Sequence, residues 1–152
     1  MRLTPFAVWA HKLPKEELFI AVKLQTMMTH SNEIAIEASY LYCYAISLLL
    51  NGRSRDETFN MTKQEVANPT IKEWFEKEIE SGSSSQLIRP QPDSIGFLKI
   101  AFVWAFYYLK NEWKYNDAIE DMLLGGGDTD TNAAIVGGLL GAAQGDSAID
   151  EN

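Results

Sequence analysis

The stretch that follows Asn32 and ends at Leu50, "EIAIEASYLYCYAISLLL", constrains the fold more than any other part of the chain. Its apolar residues recur with the 3.6-residue period of an α-helix and cover more than one face. Ser31 or Asn32 can cap the start of this helix, and Asn51-Gly52 ends it. A helix that is apolar on several faces is normally buried, so we predict that it lies at the centre of the core.

Other helix boundaries are marked by proline and by capping side chains. Pro14 opens a helix that ends near residues 29–31, and Ser54 forms a capping box with Glu57. Residues 81–94 are rich in Gly, Ser and Pro and form the one clear loop. Three more helices are expected: one at Asn68-Pro69, one from Ile95 to Leu109 capped by Asp93 or Ser94, and one from Asn116 to Leu124.

The period count gives about six or seven helices, and no segment shows the steady alternation of a strand. We therefore predict an all-α fold, an orthogonal, bundle-like helical array that forms a single domain over residues 1–152. With 46% hydrophobic residues the chain can bury a core. The net charge of −8 argues against nucleic-acid partners and against an anionic membrane surface.

Cysteine content and apolar lengths indicate the compartment. Cys43 is the lone cysteine, so no disulfide forms within the chain, and a cytoplasmic location is expected. The longest apolar stretch, Ile95 to Leu109, contains Lys99 and is too short to span a membrane. The start of the chain lacks the core and cleavage site of a signal peptide.

The last predicted helix carries small residues at i, i+4 spacing. Glycine lowers helix propensity, and we expect the compensation to be close approach of another backbone. That contact would hold the start of the helix, which follows "GGGDTDT". The small-residue face consists of Ala133, Ala134, Gly137, Gly138, Gly141 and Ala142.

Two interpretations of the Asp-Thr-Asp-Thr run follow from the residues alone. In the first, Asp and Thr cap the helix, and the acidic groups interact favourably with its dipole by about 0.3–1 kcal/mol. In the second, Asp128, Asp130 and Thr131 supply hard oxygen ligands to Mg²⁺, Mn²⁺ or Ca²⁺, which would relieve the repulsion between the carboxylates. An EF-hand is excluded because Ala133 replaces the turn glycine and Leu139 replaces the bidentate Glu. A P-loop is excluded because Gly-Lys-Ser/Thr is absent.

The segment "GGDTDTNAAIVGGLLGA" closely resembles the C-terminal signature of the ADP-ribosylglycohydrolases, all-α hydrolases that remove ADP-ribose from proteins. Three other segments resemble the family in the same order: "MRLTPFAV" its Met-Arg-x-x-Pro segment, "MMTHSNEIAIEASYLYCYAIS" its Thr-His helix junction, and "GFLKIAFVWAFYYL" the stretch before the signature.

The resemblance implies roles for individual residues. It implies that Asp128, Asp130 and Thr131 bind one of a pair of Mg²⁺ or Mn²⁺ ions, and that His30 lines the ADP-ribose site near the phosphates or ribose. Arg2 follows the position of the family's phosphate loop, although a packing role is an equal alternative. His11 is expected to lie at the surface.

The chain also departs from the family pattern. The family domain is about twice as long, and its N-terminal Thr-Asp-Asp motif and catalytic carboxylate have no counterpart here, so we expect only the C-terminal half of the fold. The expected function is metal-dependent hydrolysis of ADP-ribosyl groups, completed by another chain or by a homo-oligomer. The alternatives are a non-catalytic ADP-ribose or nucleotide binder, a structural relative, or a truncated product with exposed apolar surface.

Overall fold

The computed structural model describes residues 1–80, 82, 87 and 97–149. Within these residues the chain forms eight α-helices and no strand, which confirms the all-α prediction. A π-helical turn, Phe75–Ile79, follows the fifth helix directly, and a 3₁₀ turn, Asp146–Ala148, follows the last one. The helices are α1 (Leu3–Ala10), α2 (Lys15–Met27), α3 (Glu33–Leu50), α4 (Arg55–Gln64), α5 (Pro69–Trp74), α6 (Leu98–Lys110), α7 (Tyr115–Leu124) and α8 (Thr129–Gln144).

Most of the helix starts that local sequence signals predict are confirmed. The Asn32 side chain accepts a hydrogen bond of 2.8 Å from the backbone N–H of Ala35 and so caps α3. Ser54 and Glu57 make both bonds of the predicted capping box at the start of α4. Helix α5 begins at Pro69, where the missing N–H of proline costs no helical hydrogen bond.

Two boundaries differ or cannot be compared. Helix α7 begins at Tyr115, one residue before the predicted start at Asn116. The predicted start of α6 at Ile95, with its cap at Asp93 or Ser94, lies outside the described residues, as does most of the predicted loop 81–94.

The first helix, α1, has no sequence signal that predicts it. Its first turn carries no acidic residue, and the Arg2 side chain makes no capping hydrogen bond. It is held instead by packing, because Ala7 and Ala10 are buried and the helix lies against α3. A hydrogen bond of 2.8 Å joins the hydroxyl groups of Thr4 and Tyr42 across this contact.

The described chain divides into two compact units, and the first, Met1–Lys72, is built around α3. Helices α1, α2 and α4 all pack on α3, and 13 of its 18 residues are buried, which confirms the prediction that it is a core helix. Cys43 lies within it, and burial raises the pKa of this thiol to about 12. The thiol is therefore protonated at neutral pH and is not a nucleophile.

Helix α3 is also 18 residues long and, by length and composition alone, apolar enough to cross a membrane. The expectation that no segment reaches this length was therefore wrong. Most of the helix is buried inside the structure, as in a core helix, so its apolar composition is weak support for a membrane span.

The second unit, Glu73–Asn152, is built around contacts of α8 with α6 and α7. Helix α6 also packs on the π-helical turn through aromatic rings: Phe75 of the turn lies 5.8 Å from Phe102 and 5.4 Å from Phe106 between ring centroids. The Tyr108 hydroxyl donates a hydrogen bond of 2.7 Å to the Asp121 carboxylate and so links α6 to α7. The prediction of one domain over residues 1–152 stays a prediction.

Candidate functional site

The turn between α7 and α8 places the acidic segment at a helix start. Gly126 and Gly127 have φ values of +76° and +81°, in the left-handed region that glycine adopts without steric cost. No atom lies within 4 Å of a Cβ built on Gly126, so the backbone conformation, and not lack of space, requires glycine there. The reversal ends at Asp128, whose backbone carbonyl accepts the first helical hydrogen bond of α8, 3.0 Å from the N–H of Asn132.

The side chain of Asp128 does not act as the predicted helix cap. It occupies the N-cap position of α8 but makes no capping hydrogen bond. Its carboxyl group instead interacts with that of Asp130, two residues further on. Asp130 is exposed, whereas Asp128 and Thr131 are half-buried. The capping interpretation therefore describes where Asp128 lies but not what its carboxyl group contacts.

The environment of Asp130 favours its charged form. The pKa of Asp130 lies below its ordinary value of 3.8, first because it shares a hydrogen bond with Asp128, and then because the backbone N–H groups of Thr131 and Asp130 donate to it. A hydrogen bond between two carboxyl groups needs a proton. Once both groups are ionised, the same proximity becomes repulsion between like charges, which a bound cation would relieve.

The donor set fits a hard divalent cation in part. Asp128, Asp130 and Thr131 offer two carboxylates and a hydroxyl group from adjacent positions, and Mg²⁺ sites commonly use one or two carboxylates with water and substrate oxygens in the remaining positions. Among the described residues no group of three or more His, Cys, Asp or Glu side chains could hold a metal. The segment therefore supplies part of a coordination shell and not a closed protein site.

Helix α8 holds the acidic segment through its buried side. Asn132, Val136 and Leu140 are buried, immediately after the acidic residues and further along the helix. At the other end of α8, the Gln144 side chain accepts from the backbone N–H of Tyr115 and donates to the carbonyl of Trp113, both at 3.2 Å. These contacts tie both ends of α8 to the second unit.

The small-residue face of α8 receives a side chain where close approach of a backbone was expected. A Cβ on Gly137 would lie 2.8 Å from the hydroxyl oxygen and 3.5 Å from the ring carbon Cζ of Tyr115, and 3.5 Å from the side chain of Ile119. A Cβ on Gly141 would lie 3.9 Å from the same tyrosine ring, an ordinary contact. Glycine at position 137 therefore makes room for the Tyr115 ring of α7.

His30 lies in the first unit, just after the end of α2. Its imidazole is exposed, and its Nδ1 atom lies 2.8 Å from the Thr29 hydroxyl oxygen. Arg2 donates to that same oxygen at 2.9 Å and to the carbonyl of Gln25 at 2.6 Å. Because the Thr29 oxygen accepts from Arg2, its own proton can be donated to Nδ1. The neutral imidazole would then carry its proton on Nε2.

These hydrogen bonds bring together residues that the sequence suggested separately. Arg2 and His30 are 28 positions apart, and Thr29, which joins them, carried no prediction of its own. The Met-Arg-x-x-Pro and Thr-His segments marked both regions but not their contact. His11 makes a hydrogen bond of 2.6 Å through Nδ1 to the carbonyl of Val8, at the end of its own helix.

The predicted site residues fall into both units. Arg2, Thr29 and His30 form one group in the unit Met1–Lys72, and Asp128, Asp130 and Thr131 form the other in the unit Glu73–Asn152. Each group contains a set of polar side chains that can contact an anionic or metal-bound ligand. The assignment of His30 to substrate and of the acidic group to metal stays a prediction.

Comparison with known proteins identifies the family. The family model for ADP-ribosylglycohydrolase matches residues 1–152, so the expected restriction to the C-terminal half of the fold is not borne out. Comparisons with curated proteins and with solved structures found no match. The match covers the whole chain and includes both groups of predicted site residues. The chain therefore belongs to the ADP-ribosylglycohydrolase family.

Proposed function

We propose that this chain takes part in the hydrolysis of ADP-ribosyl groups in a reaction that depends on Mg²⁺ or Mn²⁺. Membership of the family supports the hydrolase class. The observation that carries the metal dependence is the pairing of Asp128 with Asp130: the carboxyl groups are adjacent, and Asp128 is not used as a helix cap. Two adjacent ionised carboxylates at a solvent-facing helix start favour a bound cation.

Asp128, Asp130 and Thr131 would hold the ion in this proposal. When bound, such an ion supplies positive charge that orients ribose hydroxyl groups and stabilises charge as the bond at the anomeric carbon breaks. The protein's own contribution is to hold the acidic pair in place. The buried residues of α8 do this, since the helix cannot shift without disturbing the core of its unit.

His30 would contact the phosphates or the ribose of the ligand. Its exposed imidazole can donate a hydrogen bond from Nε2 to an anionic oxygen when Thr29 donates to Nδ1. Arg2 fixes the Thr29 hydroxyl and adds a positive charge beside the imidazole. The chain as a whole has a net charge of −8, so the positive charge of Arg2 beside His30 is a local exception. That positive charge suits an anionic ligand.

A further acidic group would come from outside the described residues. No cluster of three or more metal-binding side chains occurs among them, which is why a complementing chain or a second copy is part of the proposal. The same observation favours a second candidate function, in which the chain binds ADP-ribose without hydrolysing its derivatives. We place either function in the cytoplasm, without nucleic-acid or membrane partners.

Release of ADP-ribose from an ADP-ribosylated protein tests the proposal. We expect release with Mg²⁺, none with EDTA, and loss of release in Asp128→Asn and Asp130→Asn. Asp117→Asn, an exposed acid in the first turn of α7, is the matched control and should keep activity. If a second copy completes the site, specific activity should rise with protein concentration.

Calorimetric titration with ADP-ribose separates the two functions. Binding without release at every concentration tested supports the binder. Release that is unaffected by EDTA and by both aspartate substitutions would overturn the metal-dependent proposal. Absence of both binding and release would overturn the two functions together.

A further inference from the structure

A cavity of about 410 Å³ opens in the first unit, and all the residues that line it belong to that unit. Helix α2, the first turns of α3 and the segment before α5 form its walls. The side chains that matter for its chemistry are Phe19, Lys23, Glu33, Ile36, Asn68 and Pro69. Its volume lies in the range of sites that take small organic molecules, about 300–1,000 Å³.

Two opposite charges line this cavity without a protein partner. Lys23 lies on α2, and Glu33 is the first residue of α3. Both side chains are exposed, and neither makes a hydrogen bond or ion pair with another residue in the part of the chain that the structure describes. They therefore line one cavity without forming a salt bridge to each other.

The neighbouring charges are already occupied. The Glu37 carboxylate accepts two hydrogen bonds of 2.8 Å, from the backbone N–H groups of Ala67 and Asn68. Lys15 forms an ion pair with Glu65, 3.0 Å between nitrogen and oxygen. Lys23 and Glu33 thus differ from the charges around them in being available to a ligand.

The rest of the lining is suited to an apolar body. Phe19 is 39% exposed, and its ring stands edge-on to Tyr40 with 5.2 Å between centroids, which fixes its orientation. Ile36 and Pro69 add aliphatic surface. The Asn68 side-chain oxygen accepts a hydrogen bond of 2.9 Å from the backbone N–H of Thr70. Its amide NH₂ group, which is a donor, therefore points away from Thr70.

We infer that this cavity binds a small zwitterion with an apolar body, such as an aliphatic amino acid or a dipeptide. The ligand carboxylate would pair with Lys23 and its ammonium group with Glu33. A ligand with negative charge alone would meet the unpaired Glu33 carboxylate, and one with positive charge alone would meet Lys23. Only a ligand that carries both charges satisfies both groups. This site is independent of the proposed hydrolase function.

Titration of the ¹⁵N-labelled full chain with leucine, phenylalanine and leucyl-leucine tests the inference. We expect saturable shifts of amide signals in residues 19–36, 67 and 68. N-acetyl-leucyl-leucine lacks the ammonium group and leucyl-leucinamide lacks the carboxylate, and each should bind about tenfold more weakly, or worse, than leucyl-leucine.

Substitutions assign each charge to its partner. Lys23→Gln should weaken leucyl-leucine about tenfold and should not weaken leucyl-leucinamide, whereas Glu33→Gln should weaken leucyl-leucine and should not weaken the N-acetyl form. Lys72→Gln and Glu17→Gln remove exposed charges that do not line the cavity and should have no effect.

Several outcomes would overturn the inference. They are absence of saturable shifts with all three zwitterions, equal binding of the zwitterionic and blocked dipeptides, and binding that survives both cavity substitutions. Binding of longer peptides alone would also overturn it, because it would assign the cavity to a protein segment.

Discussion

The two segments that carry predicted site residues are held in different ways. The acidic segment Asp128–Thr131 opens a helix whose next turns are buried, so core packing sets its position. Thr29 and His30 are exposed; Thr29 accepts a hydrogen bond from Arg2, and His30 shares one with Thr29. The contrast shows that a site residue can be placed either by the hydrophobic core behind it or by a polar contact at the surface, and that the two respond differently to substitution.

The largest expected effect tests whether the core holds α8. Leu140→Ala removes a fully buried side chain of α8 and should lower the free energy of unfolding by about 2–5 kcal/mol. Leu24→Ala makes the same change on α2, where the side chain is 64% exposed, and should change stability by less than about 0.5 kcal/mol. Urea denaturation followed by circular dichroism measures both. Equal losses in the two variants would remove the contrast between the segments.

The second prediction concerns the glycines of α8. Gly137→Val should destabilise the chain by about 1–3 kcal/mol, because the new side chain would overlap the Tyr115 hydroxyl group. Gly141→Ala meets only an ordinary contact and should stabilise by about 0.5–1 kcal/mol through higher helix propensity. Thermal unfolding of the two variants checks the difference. If Gly137→Val is as stable as the parent, the Tyr115 contact is not what requires glycine.

The third prediction compares the helix starts next to the two segments. Asn32→Ala removes a capping bond of 2.8 Å and should cost about 1 kcal/mol. Asp128→Ala removes no capping bond and should change stability by less than about 0.5 kcal/mol, because a half-exposed side chain that caps nothing is replaced. Denaturant titration at neutral pH without divalent ions measures both. A larger loss for Asp128→Ala would mean that this side chain caps α8 after all.

The smallest expected effect is the pH dependence of the acidic pair. The pKa of Asp130 is lowered in the folded chain, so this group stabilises the fold above its unfolded pKa. That contribution is lost as the pH falls through the lower, folded pKa. Carbon-13 NMR titration of the carboxyl groups should show a pKa for Asp130 below 3.8, rising in Asp128→Ala. An Asp130 pKa that does not change in this variant would exclude the pairing.

Sequence reasoning was most successful where the cause of a structure is local. The cap at Asn32 and the capping box at Ser54 depend on side chains within four residues of the bonds they make, so both could be predicted. Helix α1 could not, since it has no cap and forms through packing on α3.

The same limit applies to the candidate site. The residue types at Asp128 and Asp130 indicated a metal or a cap, but only the folded chain shows that the Asp128 side chain makes no capping bond and interacts with Asp130. The hydrogen bond from Arg2 to Thr29 joins residues 27 positions apart and depends on how α2 lies beside α1. Neither contact follows from a helical period or from a short spacing between residues, so the sequence alone could not predict it.

The metal site proposed at Asp128 and Asp130 requires that the chain bind a divalent cation. Electron paramagnetic resonance with Mn²⁺ tests this binding most directly. The measurement is made on the full chain and on Asp128→Asn, with Asp117→Asn as the control. We expect the parent and the control to bind Mn²⁺ equally, Mg²⁺ to displace it, and Asp128→Asn to weaken binding by about tenfold or more. Equal Mn²⁺ binding by the parent and Asp128→Asn, or no binding by the parent, would contradict the account.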